Sequence, residues 1–590
     1  RDVAPSRGLG DVYKRQDVDI IKNMLSAKVL YGLNKENTSR DSYIPSDIYY
    51  ALQRKSRGNL GYGKRQQSTL EGTLTFQHKF GELLDMNLMA GMGRYLDSGD
   101  GSDISYENAN DHIQGSSVGM ADGPFYPTSY KYKNEKRSQF VRGSFDLFGR
   151  YVVSASLRRD GTDKFFPSKK YAFFPSVSLA WKMNEESFIK NISWINMLKL
   201  RASYGETGSD NLGTTLYGIV TTTREDVQFN NNSVTYIPYI LSGANYEDVT
   251  WQKTVMKNIG LDFSIFRDRI WGSVDVFRND VTHLLGTAPT ELLGMHGTRP
   301  INGGHYKRTG VDVSLNSLNL QTHDFKWTSQ ITMSHYNAVW IERMPNYDYQ
   351  KYQKRKNEPM NAFYYYKTTD IIDVDKSNMP ESQRSLGPAA CMPGYPIVED
   401  KNGDGIIDVN DSYMDNMLPK LYFGFGNTFT WKNFDLDIFM YGQLGVKKWN
   451  DAYSYSADAG NLSRGVDAHN VGIYSYNIWN TQTNMNGHFP GIAISKSVAL
   501  PENLGFDYTR ENASYVRVRN ITLGYNLGPK ELSIFKGYIR GIRVFVDFQN
   551  PLTFTKYKGY DPEINTSSSN LTGGQYPQMR VYSIGAKLTF

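Results

Sequence analysis

Hydrophobic and polar residues alternate with a period of two along many segments of the chain. In the last segment Tyr582, Ile584 and Leu588 fall on one face, and Ser583 and Lys587 fall on the other. Side chains of a β-strand point alternately to its two sides, so this pattern predicts strands with one apolar and one polar face. The chain is therefore predicted to be an all-β protein.

About sixteen segments show this pattern, and many have roughly the 9–11 residues that a tilted strand needs to cross a bilayer. The predicted strands lie near 18–32, 68–80, 83–95, 135–147, 150–159, 170–182, 196–206, 253–266, 269–284, 305–319, 324–338, 419–431, 434–445, 513–527, 540–550 and 577–590.

Short and long connections alternate between the predicted strands. The short ones are 148–150, 267–269 and 432–433, and the long ones are 95–135, 207–250, 340–418 and 446–512. Alternation places every long loop on one side of the sheet, as in outer-membrane barrels with short periplasmic turns and long extracellular loops. We therefore expect a transmembrane antiparallel β-barrel, with a soluble β-sandwich as the structural alternative.

Aromatic residues at strand ends favour the barrel over the sandwich. Trp181, Trp271, Trp327 and Trp431 lie at or near predicted strand ends, where an aromatic girdle would meet the membrane interface, and Phe590 ends the last strand on its apolar face. One segment changes phase: in 515–527 Val516 and Val518 have the opposite phase to Ile521, Leu523 and Tyr525, for which a β-bulge is one explanation and a strand extending beyond the membrane another.

The hydrophilic composition of the chain is compatible with a membrane barrel. The 590 residues have a mean hydropathy of −0.53, because a lipid-facing side is averaged with a wet interior and polar loops. No run of about 18 apolar residues predicts a transmembrane helix. The single cysteine, Cys391, excludes a disulfide framework, and the net charge of +6 is spread without a basic arm for nucleic acid.

The first sixteen residues stand apart from the rest. The chain begins with Arg, and residues 6–16 (SRGLGDVYKRQ) do not alternate and look like sequence foreign to the protein; an ordinary polar loop is the alternative. We expect residues 1–16 to be artefactual and residues 17–590 to be the C-terminal part of a longer barrel protein.

Several segments together resemble one known family. They are RRDGTDKFFP (158–167), FFPSVSLAW (173–181), LKLRASYGETGSDNLG (198–213), WQKTVMKNIGLDFSIFRDRIWGSVDVF (251–277), NGDGIID (402–408), PKLYFGFGNTFTWKNFDLDIFMYGQLG (419–445), YVRVRNITLGYNL (515–527), RVFVDFQNPLTFTKYKGYDPE (543–563) and YSIGAKLTF (582–590). In this order they resemble the SusC/RagA family of TonB-dependent outer-membrane transporters.

The resemblance implies a barrel of about 22 strands with an N-terminal plug, of which this chain would hold about sixteen strands and no plug. It implies a Gram-negative, Bacteroidetes-type outer membrane. It also implies active import of oligosaccharides, or less often peptides, with a SusD-like surface lipoprotein over the long loops. Energy would come through a TonB–ExbB–ExbD complex acting on the plug.

One loop has the spacing of calcium ligands. Oxygen-bearing residues occupy positions 1, 3, 5, 7, 9 and 12 of a twelve-residue stretch, with Gly405 at its turn; they are Asp400, Asn402, Asp404, Ile406 (through its carbonyl), Asp408 and Asp411. Ca²⁺ prefers six to eight oxygens in this arrangement. We expect a structural Ca²⁺ site, or weaker Mg²⁺ binding, in the 340–418 loop; the alternative is an Asn/Gly/Asp turn that binds nothing.

No residues form a defensible catalytic set. The G-x-S-x-G match at 115–119 lacks the strand and helix of a nucleophile elbow, and the nine histidines show no metal spacing. We expect no enzyme, which disfavours an outer-membrane hydrolase and leaves a non-transporting adhesin or glycan-binding barrel as the alternative function. Aromatic loop residues could stack on sugars or peptides, but most would serve packing; they are Tyr126, Tyr130, Tyr132, Tyr217, Tyr236, Tyr239, Tyr364, Tyr365, Tyr366, Tyr453, Tyr455 and Trp479.

Overall fold

A computed structural model gives the fold. It describes residues 6–46, 56–108, 121–212, 222–224, 229–231, 234–236, 239–241, 246–289, 298–345, 351–354, 357–450, 477–487, 489–491, 500–501, 504–508, 510–528, 531–532, 538–559, 561–564 and 578–589, with a few single positions between these ranges. Phe590, Tyr217, Tyr453, Tyr455 and most of the 115–119 motif lie outside the described residues.

One antiparallel sheet of 17 strands dominates the structure. Its strands, numbered here along the chain, are β1 Ser6–Ile21, β2 Leu25–Ile44, β3 Arg57–Phe80, β4 Leu84–Glu107, β5 Phe125–Leu147, β6 Tyr151–Thr162, β7 Tyr171–Lys182, β8 Ile195–Ser209, β9 Gln252–Ile265, β10 Ile270–Pro289, β11 Thr298–Gln321, β12 Phe325–Glu342, β13 Leu421–Trp431, β14 Phe434–Leu444, β15 Tyr515–Leu527, β16 Gly541–Thr555 and β17 Val581–Thr589. Each strand pairs with the next, and no pairing joins β1 to β17 in the described part of the chain. The predicted all-β class and the long antiparallel meander are confirmed.

Helices are few and short. The one α-helix of the described residues is Ser187–Lys190, and 3₁₀ turns cover Pro167–Lys169, Met183–Glu185, Lys351–Lys354, Glu381–Leu386, Pro388–Cys391 and Val409–Asp411. None of the helices in the described residues is long and apolar enough to cross a membrane.

The two faces of the sheet differ as the alternation predicted. One row across four strands is apolar: Leu436 pairs with Leu523, Leu523 with Val546, and Val546 with Ile584. The neighbouring row, on the opposite face, is polar and consists of Asp437, Thr522, Asp547 and Ser583. Ile584 is 80% exposed although it is fully apolar, so the apolar face is not covered by the rest of the chain. A sandwich would bury this face, whereas a bilayer covers it.

The short turns form as predicted. Phe148 and Gly149 have φ values of 56° and 66°, Arg267 and Asp268 both have 60°, and Lys432 has 50°. Left-handed backbone at these positions matches the tight connections between antiparallel strands.

The aromatic girdle is also present at the short-turn ends of the strands: Trp327 stacks on Phe429, with ring centres 5.6 Å apart. Trp271 differs, since its place in the register puts it on the polar face, next to Ser264 and Asn316.

The phase change in β15 is a β-bulge. Phe439 pairs with Asn520 but Met440 pairs with Val518, and the same shift occurs against β16, so Arg519 is the extra residue. The bulge returns Val516 and Val518 to the apolar face and Arg517 to the polar face. The bulge explanation is therefore confirmed.

Several predicted boundaries are wrong, among them the strand predicted at 68–80, which begins at Arg57. The segment 18–32 is not one strand, because Lys22–Met24 forms a turn between β1 and β2. The 95–135 loop is mostly strand, since β4 continues to Glu107 and β5 begins at Phe125. These extensions carry polar residues on both faces, so no hydrophobic alternation marks them. Residues 6–16 lie in β1, and whether they are foreign to the protein stays a prediction.

Candidate functional site

The polar face of the sheet is lined by charged and hydroxyl side chains that bond to one another. Arg201 bonds Asp262 at 2.8 Å and Asp275 at 3.0 Å. Asp437 accepts a hydrogen bond from Thr428 at 2.6 Å. Such a wall offers many hydrogen-bonding groups to water and to hydrophilic solutes, as the interior of a large barrel requires.

The segment between β12 and β13 folds into a compact body on the long-loop side. Strand Ala362–Tyr366 pairs antiparallel with Tyr413–Asn416 and parallel with Gly505–Phe506, so the body also takes up part of the next long connection. Its core includes Tyr366, Val398, Ile407 and Leu500, all buried. The predicted 340–418 loop is thus an ordered structure above one end of the sheet.

Asp415 joins this body to the neighbouring loop. Its Oδ2 accepts hydrogen bonds from Tyr365 at 3.1 Å, Lys447 at 3.2 Å and Arg510 at 2.8 Å. Burial alone would raise the pKa of the Asp415 carboxyl, but the two cations outweigh it and lower that pKa below its usual value. Burial and the nearby Asp415 charge raise the pKa of Tyr365 to about 12. Asp415 is therefore ionised, and Tyr365 neutral, over the physiological pH range.

The calcium-type loop is ordered by its own backbone. Asp400 accepts hydrogen bonds from the N–H groups of Gly403 at 2.8 Å and Gly405 at 2.9 Å, and both glycines have positive φ. Asp408 and Asp411 form a capping box at the 3₁₀ turn that follows, and Asp411 is fully buried. The sequence pattern did not predict this helical turn.

The six predicted ligands lie in one loop, but the side-chain oxygens of five of them, all except Ile406, accept hydrogen bonds from amide groups. Asn402 donates its side-chain amide to Asp404 at 2.8 Å, and Asp404 accepts from the Ile406 N–H at 2.9 Å. No group of three or more His, Cys, Asp or Glu side chains that could hold a metal occurs among the described residues. The donor set is all oxygen, as Ca²⁺ prefers, and a cation would have to compete with these hydrogen bonds for the oxygens.

The sequence did not predict a buried ionic cluster at β15. Arg517, 2% exposed, bonds Asp561 at 2.8 Å and Glu563 at 2.6 Å. Tyr441 donates to the same Glu563 at 2.7 Å. The only signal was that YVRVRN and KGYDPE both belong to the segments of the family resemblance. The cluster fixes the connection after β16 against the polar face of β15.

The aromatic loop residues are spread over several environments. Tyr126, Tyr130 and Tyr132 lie in β5, Tyr236 and Tyr239 lie in two separate short strands, and Tyr364, Tyr365, Tyr366 and Trp479 are buried. The tyrosines of β5 share one face of that strand, where Tyr130 and Tyr132 stack with ring centres 6.4 Å apart. Burial of the last four agrees with a packing role for them, and binding of cargo by the others stays a prediction.

Several known proteins are similar to this chain in sequence and in fold. Residues 8–551 match the family model of TonB dependent receptor-like β-barrels. The chain is 27% identical to TonB-dependent receptor P3 of Formosa agariphila, covering 96% of this chain and 56% of that protein. It is also 27% identical to TonB-dependent receptor SusC of Bacteroides thetaiotaomicron, covering 78% of this chain and 44% of that protein.

Solved structures show the same architecture. The RagAB peptide transporter matches 99% of this chain and 62% of its own chain, with a TM-score of 0.77 and 19% identity. The chain spans about half the length of the curated relatives it matches.

Proposed function

Because the chain belongs to the family of TonB-dependent receptor-like β-barrels, we propose that it forms the barrel of an active importer of oligosaccharides or peptides. Barrels of this kind lie in the outer membrane, and their family consists of receptors rather than enzymes, in agreement with the sequence predictions. The observation that carries the proposal is a hydrogen-bonding inner wall beneath an ordered extracellular body. A hydrophilic solute could bind at the mouth and pass along this wall.

The proposal includes two partners. A SusD-like surface lipoprotein would cover the extracellular body built from residues 343–420, and a TonB–ExbB–ExbD complex would supply energy from the inner membrane. Peptides are included as cargo because a protein of the same fold is named a peptide transporter, and oligosaccharides because of the resemblance to the SusC/RagA family.

Uptake separates import from the alternative function, a glycan-binding adhesin. Cells that express the receptor from its complete gene are incubated with fluorescent oligosaccharides or peptides, and an impermeant quencher is then added. We expect receptor-dependent fluorescence that survives the quencher, because imported cargo lies behind the outer membrane. Fluorescence that is fully quenched would instead support an adhesin.

We further propose that the 400–411 loop binds Ca²⁺ as a structural ion. Asp400, Asn402, Asp404, Asp408 and Asp411 would supply side-chain oxygens, and Ile406 its carbonyl. The ion would cross-link the two ends of the loop and stiffen the extracellular body; Mg²⁺, which needs stricter octahedral geometry, would bind more weakly. The regular spacing and the preformed turn support this proposal.

Asp404→Ala is expected to abolish calcium binding to this loop. Titration calorimetry of the purified receptor should give a Kd of about 0.1–1 mM for Ca²⁺, the range of extracellular calcium modules. Asp375→Ala, in another exposed turn of the same body, is the matched control and should leave the titration unchanged. A receptor that gives no calcium heat, or the same heat after Asp404→Ala, would overturn the site.

A further inference from the structure

Four side chains form a cluster on the polar face of four neighbouring strands. They are Phe277 of β10, Arg308 of β11, Tyr336 of β12 and Tyr422 of β13. Gly310 pairs with both Phe277 and Tyr336, which places these two rings beside each other across β11. Glycine is required there, because a Cβ on residue 310 would lie 2.5 Å from the Phe277 ring and 2.6 Å from the carbonyl oxygen of His335.

The cluster is a flat aromatic surface with a guanidinium against it. Tyr336 and Tyr422 lie parallel, with ring centres 5.7 Å apart and planes 2° apart, and their hydroxyls are 3.5 Å apart. The Arg308 guanidinium lies 3.7 Å from the Tyr336 ring centre and 5.8 Å from that of Phe277. Stacking holds the guanidinium plane in one orientation.

Arg308 has no carboxylate partner among the described residues. Its Nε is buried and makes no hydrogen bond. Other arginines of the same face are paired: Arg201 bonds two aspartates, and Arg543 bonds Asp435. The nearest acidic residue along β11, Asp312, instead accepts a hydrogen bond from Ser334 at 2.6 Å. A partly buried cation without an anion is costly, so this position favours an anionic ligand.

We propose that Arg308, Tyr336 and Tyr422 form a subsite for a carboxylate carried by the imported cargo. The inference rests on the proposed import function and narrows its substrate class. The guanidinium fork can bind a carboxylate through two parallel hydrogen bonds, and the paired tyrosines offer a face to the ring or peptide plane next to it. A uronic acid residue and a peptide C-terminus share this chemistry.

Arg308→Gln tests the subsite in the purified receptor expressed from its complete gene. Affinity is measured for two matched pairs of probes: oligogalacturonate against its methyl ester, and a peptide with a free C-terminus against its amide. The wild type is expected to prefer the charged member of at least one pair. The substitution is expected to weaken binding of that member by about tenfold to a hundredfold and to leave the neutral member unchanged.

Two further variants make the result specific. Arg308→Lys keeps the charge without the fork and should give an intermediate loss. Arg142→Gln removes an exposed arginine of the same face that has no aromatic partner among the described residues, and it should change nothing. Heat-modifiable gel migration checks that each variant is folded.

The probe pair whose charged member binds more weakly after Arg308→Gln identifies the source of the carboxylate, a uronic acid or a peptide C-terminus. Equal loss for charged and neutral probes, no loss for either, or a wild type that prefers neither charged probe would each overturn the subsite. None of these binding results bears on import as such: the proposed function fails if no cargo enters the cell, or if cargo enters without the proton-motive force and TonB.

Discussion

Replacing Arg517 by methionine is expected to destabilise the folded barrel by about 3–5 kcal/mol, because it leaves the buried Asp561 carboxylate without the arginine that pairs with it. The Arg517 and Asp561 side chains are 2% and 5% exposed. Asp561 would keep only the backbone N–H groups of Glu563 and Gln578, and Thr553 would lose the hydrogen bond from the Arg517 Nε at 3.0 Å. Urea unfolding of the receptor in lipid vesicles measures the loss.

Arg519→Met is the matched control. Arg519 is the bulged residue of the same strand and is exposed, so its replacement should change the free energy of unfolding by less than about 1 kcal/mol. Equal effects of the two substitutions would show that the cluster of Arg517, Asp561 and Glu563 does not stabilise the fold.

An arginine at Val274 is expected to prevent stable membrane insertion. Val274 lies in the apolar row with Leu261, Val313 and Met333, between the short-turn end of β10 and the first charged residue of that face, Arg278. A charge near the middle of a lipid-facing band costs about 2–4 kcal/mol. The amount of heat-modifiable receptor in outer-membrane fractions measures the effect.

Ser273→Arg provides the control for the assignment of faces. Ser273 precedes Val274 and pairs with Asp262 on the polar face, where a new cation meets water and a carboxylate. We expect nearly normal amounts of folded receptor. If Ser273→Arg were as harmful as Val274→Arg, the apolar face would not be the one that contacts lipid.

The sequence predicted those parts of the fold that depend on contact with lipid. Wherever one face must be apolar, as in 434–444 and 581–589, period-two alternation identified the strand and its orientation. It also revealed the phase change in β15, because Val516 and Val518 are out of step with Ile521 and Leu523, and the register then showed that a bulge causes it. The short turns followed from the small number of residues between such segments.

The rest could not be predicted because it depends on partners distant in sequence. Residues 95–107 continue β4 outside the apolar band, where neither face needs to be hydrophobic. The Arg517 cluster joins residues more than forty positions apart, and Arg308 stacks on a tyrosine of the next strand. Only the register of the strands brings these groups together. The six residues of the calcium-type loop were close in sequence, so their common loop was predictable, and ion binding there remains a prediction.

Energy-dependent uptake tests the central claim most directly. Cells that express the receptor from its complete gene are given fluorescent oligosaccharides or peptides, and the fluorescence that survives an impermeant quencher is measured. The measurement is repeated with a protonophore and in a strain that lacks TonB. We predict accumulation only when both the proton-motive force and TonB are present. Accumulation that continues without either would mean passive diffusion through a pore and would contradict the assignment of this barrel to active import.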